Sequence, residues 1–87
     1  MITREVKINN QVGLHARPAT FFIQKANKYK STIWIEKGDR RVNAKSLLGV
    51  LSLGIVKDTT VTLSADGSDE ADALDGLCEL IANGCEE

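Results

Sequence analysis

Apolar residues along this chain change their spacing several times, and each change marks an element. Ile2, Val6 and Ile8 fall on one face of an extended run, with Arg4 partly breaking the pattern, which predicts a strand over residues 2–8. Beyond the loop Asn9-Asn10-Gln11-Val12-Gly13 the period lengthens. Ala19, Phe22, Ile23 and Ala26 lie at i, i+3, i+4 and i+7, the apolar stripe of a helix running from Ala16 to near Lys28. Ile33 and Ile35 then alternate with Thr32 and Glu36 in a second strand, and the turn Lys37-Gly38-Asp39 returns the chain into a third over Arg40 to Ala44. Ser46 stands where a helix cap belongs, ahead of an apolar run that Gly54 stops within about two turns. Val61, Leu63 and Ala65 alternate with Thr60, Thr62 and Ser64, a strand with one face of hydroxyls. Finally Leu74, Leu77, Cys78 and Ile81 restore helical spacing, with Ser68 or Asp69 as the cap and Gly84 at the end.

The order is βαββαβα. Polar strand faces leave room for helices on one side only, so the expected fold is α+β: an open-faced β-sandwich with a four-stranded antiparallel sheet and three helices on one face. A chain of 87 residues suffices for one domain, taken as 1–87, and is too short for a deep substrate cavity with a lid. Chemistry is therefore expected on a surface. Trp34, between Ile33 and Ile35, should point off the core face as a partly exposed packing residue.

With 43% apolar and 26% charged residues the composition is that of a soluble globular protein, and no apolar run approaches the roughly 20 residues of a membrane span. The first residues lack the basic-then-apolar pattern of a signal peptide, so a cytoplasmic monomer is expected. A net charge of −1 argues against nucleic acid or an anionic membrane as partner. The hydroxyl face of Thr60, Thr62 and Ser64 is likewise a poor platform for stacking bases. Every lysine and arginine lies at or before Lys57, whereas Asp66, Asp69, Glu70, Asp72, Asp75, Glu79, Glu86 and Glu87 fill the tail. That asymmetry fits an acidic partner for the basic part, or acids favouring the start of the last helix. Cys78 and Cys85, about 10 Å apart along a helix, are too distant for a disulfide and match no metal-ligand spacing. They read as a core thiol and a frayed-end thiol, and neither a metal nor a cofactor is expected.

The stretch Gly13-Leu14-His15-Ala16-Arg17-Pro18-Ala19 holds the only histidine and the only proline in the chain. A histidine just ahead of a helix stands beside backbone N–H groups that have no partner within the helix, a place that attracts anions. Pro18 is tolerated in the first turn and stiffens it. Arg17 adds a permanent charge able to grip two phosphate oxygens at once. A neutral imidazole nitrogen attacks phosphorus readily, and the N–P bond so formed is labile enough to pass the group on. These residues describe a phosphoryl site with a nucleophile inside it; the bland alternative is a polar surface residue in a loop.

GLHARPA followed by a helix, and VNAKSLLGVLSLGI further on, resemble the two signatures of the histidine-containing phosphocarrier (HPr) family of the bacterial phosphotransferase system. The similarity spans nearly the whole chain and is nearer the Gram-positive form. It implies that His15 accepts phosphate on Nδ1 from phosphorylated enzyme I and donates it to IIA domains of sugar permeases, that Arg17 steadies the phosphate, and that Pro18 sets the helix start. It also implies that Ser46 is phosphorylated by the HPr kinase/phosphorylase, after which the protein binds catabolite control protein A. Leu47 and Leu48 replace the isoleucine and methionine common in the family, and the ending NGCEE is idiosyncratic. A sister group, the catabolite-repression paralogue, lacks the active histidine, so His15 sets this chain apart from it. The alternative readings are a regulatory adaptor controlled at Ser46 and a carrier in a nitrogen-regulatory branch. Partner contacts are expected from Thr20 and Phe21, which lie off the first helix's stripe. Leu47, Leu48 and Leu51 are expected to contribute too, since the short helix cannot bury all its leucines. Lys28 and Lys45 read as solvated charges.

Overall fold

The computed structural model describes residues 1–85; Glu86 and Glu87, the last two acids of the tail and the end of the expected 1–87 domain, lie outside the described residues. The elements follow in the expected order: β1 Ile2–Lys7, α1 Ala16–Ala26, β2 Thr32–Lys37, β3 Arg40–Asn43, α2 Leu47–Ser52, β4 Thr60–Asp66 and α3 Glu70–Ala82. The four strands form one antiparallel sheet in the order β1-β4-β2-β3. The strand that comes last in the sequence therefore sits between the first two. Sheet completion needs the chain through Asp66.

Alternation decides which face is dry. Ile33, Ile35, Val61, Leu63 and Ala65 are fully buried, and the helices close over them with Phe22 of α1, Val50 of α2 and Leu74, Leu77 and Ile81 of α3. The opposite face is polar: Thr3 and Ser64 hydroxyls meet at 3.2 Å, and Trp34, half-buried, lies under the Arg41 guanidinium at 4.2 Å from the ring centroid. That stacking keeps Trp34 where the alternation put it. Arg4 breaks the β1 pattern because it stands opposite Leu63, on the helix side of an edge strand. Its guanidinium reaches past the core to Asp75 of α3 at 2.6 Å, with the Cys78 thiol beside it.

The element ends depart from the sequence pattern in informative ways. α1 stops at Ala26, short of Lys28, because the Asn27 side chain caps the Ile23 carbonyl at 2.9 Å. β1 stops at Lys7 and β3 at Asn43, yet Ile8 and Ala44 stay buried and bonded, to the Thr59 carbonyl at 2.8 Å and the Ile33 carbonyl at 2.9 Å. Asp69 sits at the N-cap of α3 but its carboxylate makes no capping bond. It instead accepts from the N–H groups of Lys30 and Ser31, at 2.8 and 2.9 Å, and from the Ser31 hydroxyl. Glu70 and Asp72 occupy the first turn of α3, so part of the acidic tail complements its own helix dipole. Glu70 and Asp66 also pair with the terminal amine, at 3.4 and 3.7 Å.

Cys85 corrects the expectation of a frayed end. After α3 the backbone turns left-handed at Gly84 and Cys85 (φ 75° and 58°), and the Cys85 N–H returns to the Leu80 carbonyl at 2.9 Å. The thiol is then wholly buried, and burial pushes its pKa up to about 11. Cys78 is the half-buried one, and both are free thiols. Lys45 is likewise no solvated charge: its ammonium donates to the Tyr29 carbonyl at 2.7 Å and ties the start of α2 to the end of α1.

Candidate functional site

The loop from β1 to α1 is closed on itself before it reaches the histidine. Asn10 donates its side-chain amide to the Gly13 carbonyl at 2.7 Å, and the Gly13 N–H returns to the Asn10 carbonyl at 3.3 Å. Gly13 has φ +64°, and a Cβ there would collide with the Ile55 carbonyl and lie 2.6 Å from Val56 Cα. Only glycine lets the loop settle against that backbone. Leu14 then plugs into the core, 2% exposed, while its N–H bonds the Ile55 carbonyl at 3.0 Å.

His15 comes next as the N-cap of α1, in an extended conformation, with an exposed side chain that makes no capping bond. Its carbonyl accepts the first helical bond, from the Ala19 N–H at 2.8 Å. The N–H groups of Ala16 and Arg17 precede that bond, and Pro18 has none to offer. Two donors at the positive end of a helix thus lie beside an imidazole with no hydrogen-bond partner among the described residues. Pro18 is buried, which anchors the first turn. Arg17 is exposed, with its guanidinium 5.7 Å from the ring centroid of Phe21 one turn on. Phe21 is half-buried against the core, so it is a floor for Arg17 as well as a surface residue. Thr20 is exposed, though its hydroxyl is engaged by the Ala16 carbonyl at 2.7 Å. Such an arrangement can receive a tetrahedral anion and present to it a nitrogen nucleophile.

Ser46 caps α2 as its position predicts, with Oγ accepting from the Gly49 N–H at 3.1 Å. The helix turns Val50 inward, its C-cap Leu53 is buried as well, and Leu47 and Leu48 are left 39% and 81% exposed. Leu51 is only half-exposed and packs against the core, so the free apolar surface of α2 is carried by two leucines and not three. Val12 and Val56, 53% and 52% exposed, were not singled out by the sequence pattern. They belong to the two segments that meet at Gly13, a contact distant in sequence that no local periodicity encodes. Among the described residues no helix is long and apolar enough to cross a membrane.

A family model described as the PTS HPr component phosphorylation site matches residues 2–83. The phosphocarrier protein HPr of Neisseria meningitidis is 43% identical over 81 residues, covering 93% of this chain and 91% of that protein. The HPr-like protein Crh of Halalkalibacterium halodurans is also 43% identical, over 93% of this chain and 96% of its own. The crystal structure of HPr-C-His from Thermoanaerobacter tengcongensis superposes with a TM-score of 0.95 at 46% identity, covering 100% of this chain and 99% of that one. An HPr dimer from the same organism superposes at 0.80 with 48% identity and 94% of each chain.

Proposed function

The chain belongs to the HPr family of the phosphotransferase system, and on that premise we propose that it carries a phosphoryl group on His15 from phosphorylated enzyme I to the IIA domains of sugar permeases. The observation that carries this reading is the exposed His15 imidazole at the open N-terminus of α1, where two N–H groups are unbonded, with the exposed Arg17 two residues further along the same first turn. In the transfer, the Nδ1 lone pair forms the N–P bond as the donor's bond to phosphorus breaks, and that electron pair leaves with the donor. The proton stays on Nε2. Arg17 and the helix end stabilise charge on the phosphoryl oxygens, which is the protein's main contribution to a reaction of this type. The protein is itself the transient covalent acceptor and not a catalyst of turnover. It acts as one domain and a monomer in the cytoplasm. The dimer of its Thermoanaerobacter relative is the competing state, which sedimentation at micromolar concentration would reveal.

Regulation is the second part of the reading. Ser46 places its hydroxyl at the start of α2, where an added phosphate would meet free N–H groups, and the similarity to Crh supports an HPr/Crh-type form. HPr kinase/phosphorylase would modify Ser46, and catabolite control protein A would bind the product. A pure adaptor role is disfavoured by His15, and a nitrogen-regulatory branch would use the same chemistry with different acceptors.

The test is incubation with phosphoenolpyruvate and enzyme I. An acid-labile mass increase of one phosphate is expected, absent in His15→Ala, whose melting temperature should match the parent because the side chain is exposed. No mass increase, or a phosphate stable in acid, would overturn the carrier reading.

A further inference from the structure

Two cations of the β2–β3 hairpin reach the carbonyl end of α2. Arg40 Nη1 donates to the Ser52 carbonyl at 2.7 Å and Nη2 to Ser52 Oγ at 3.2 Å. Lys37 Nζ donates to the carbonyls of Leu53 and Gly54, at 3.1 and 3.2 Å. The helix has six residues, well under the length of about 12–15 at which an isolated helix becomes stable, and no base of its own stands in its last turn. Its C-terminal end is therefore held from outside.

The carbonyls of this segment form an unbroken series. Gly49 accepts from the Ser52 hydroxyl at 2.6 Å, and Val50 and Leu51 accept from the N–H groups of Leu53 and Gly54, each at 3.2 Å. Ser52, Leu53 and Gly54 accept from Arg40 and Lys37. Ile55 accepts from the Leu14 N–H at 3.0 Å, and the same Ile55–Val56 backbone is the surface on which Gly13 rests. The clamped segment thus ends against the two residues that precede His15.

We propose that Arg40 and Lys37 are positioning residues for the phosphoryl site: by fixing the carbonyls of residues 52–54 they hold Ile55 where Gly13 and Leu14 must pack, and so place His15 at the start of α1. The functional half of this inference rests on His15 as the phosphoacceptor. Neither cation has to touch phosphate or partner.

Amide hydrogen exchange on the free protein and steady-state kinetics with enzyme I test the clamp together, using Arg40→Ala, Lys37→Ala and Arg40→Gln. Glutamine keeps an N–H donor for the Ser52 carbonyl and removes the charge. In the alanine variants exchange at Leu53, Gly54 and Leu14 should accelerate roughly three- to tenfold, while β4 and α3 amides hold their rates. The kcat for phosphorylation should fall by a similar factor with KM nearly unchanged, and Arg40→Gln should recover most of both. Unchanged exchange at Leu14 overturns the proposal, as does acceleration spread evenly over every element. A raised KM in both Arg40 variants, with kcat and Leu14 exchange preserved, also overturns it, since that marks a charge contact with the partner. The exchange measurement needs no partner: if the parent accepts no phosphate, the carrier reading fails while Leu14 still decides the clamp.

Discussion

At the scale of single residues, the position of His15 depends on a neighbour with no side chain. Gly13→Ala would add both a left-handed alanine and a Cβ pressed into the backbone of Ile55 and Val56. Backbone is not a flexible neighbour that can rotate away. Strain and overpacking together should cost about 2–4 kcal/mol, a fall of roughly 10–30 °C in melting temperature for a chain of this size. A loss under about 1 kcal/mol in a chemical denaturation series would show that the loop shifts freely and that Gly13 does not fix it. The residues of the proposed site could be picked out from the sequence, since the types and order of His15, Arg17 and Pro18 are those expected of an anion site. Gly13 was legible only as the last residue of a loop, because its real partner lies at residues 55–56. Phe21 could be read as off the apolar stripe, but the support it gives Arg17 is a contact through space that the stripe does not encode.

At the scale of elements, helical and strand periods identified all seven in order, and the errors fell at ends, where a local hydrogen bond outweighs the pattern. Asp69 is the instructive case. An acid before a helix reads as a cap, yet here it knots the turn after α1 to the start of α3 through Lys30 and the buried Ser31. These bonds, the Ser31 hydroxyl foremost, hold the Asp69 carboxyl below its ordinary value of 3.8. A depressed pKa in the folded state contributes stability that is present above the unfolded value and lost as the pH falls through the folded one. Asp69→Asn should therefore lower the melting temperature at neutral pH, and the gap between the two proteins should narrow steadily once the pH drops below about 4. Melting curves from pH 7 to pH 2 would show it. A gap independent of pH would mean that the ionised carboxylate is not what ties the knot.

At the scale of the whole molecule, the sheet turns one polar face to solvent, and the helix side carries everything the proposed function uses. The fold class was legible because alternating strands and striped helices leave few ways to bury both. The joining of α2 to the His15 loop was not, since it runs through backbone carbonyls that have no sequence signal. On this side Ser46 caps the helix whose Leu47 and Leu48 stand exposed, so a negative charge at Ser46 bears on the fold and on docking in opposite senses. For the fold, a carboxylate replacing Oγ near the Gly49 N–H remains a good cap at the positive helix end, and Ser46→Asp should keep its melting temperature. For docking, the proposed partner enzyme I, if it lays an acidic surface over the exposed leucines, would meet a like charge at its edge. Edge charges act through solvent, across a Debye length of about 10 Å at 0.1 M salt and about 3 Å at 1 M. Phosphorylation of His15 in Ser46→Asp is therefore expected to lose roughly tenfold in kcat/KM at low salt, about 1.4 kcal/mol, and to regain much of it near 0.5 M. Enzyme I kinetics for both proteins across a salt series would measure this. An unchanged kcat/KM, or a defect indifferent to salt, would rule out repulsion and point to a change in α2 itself.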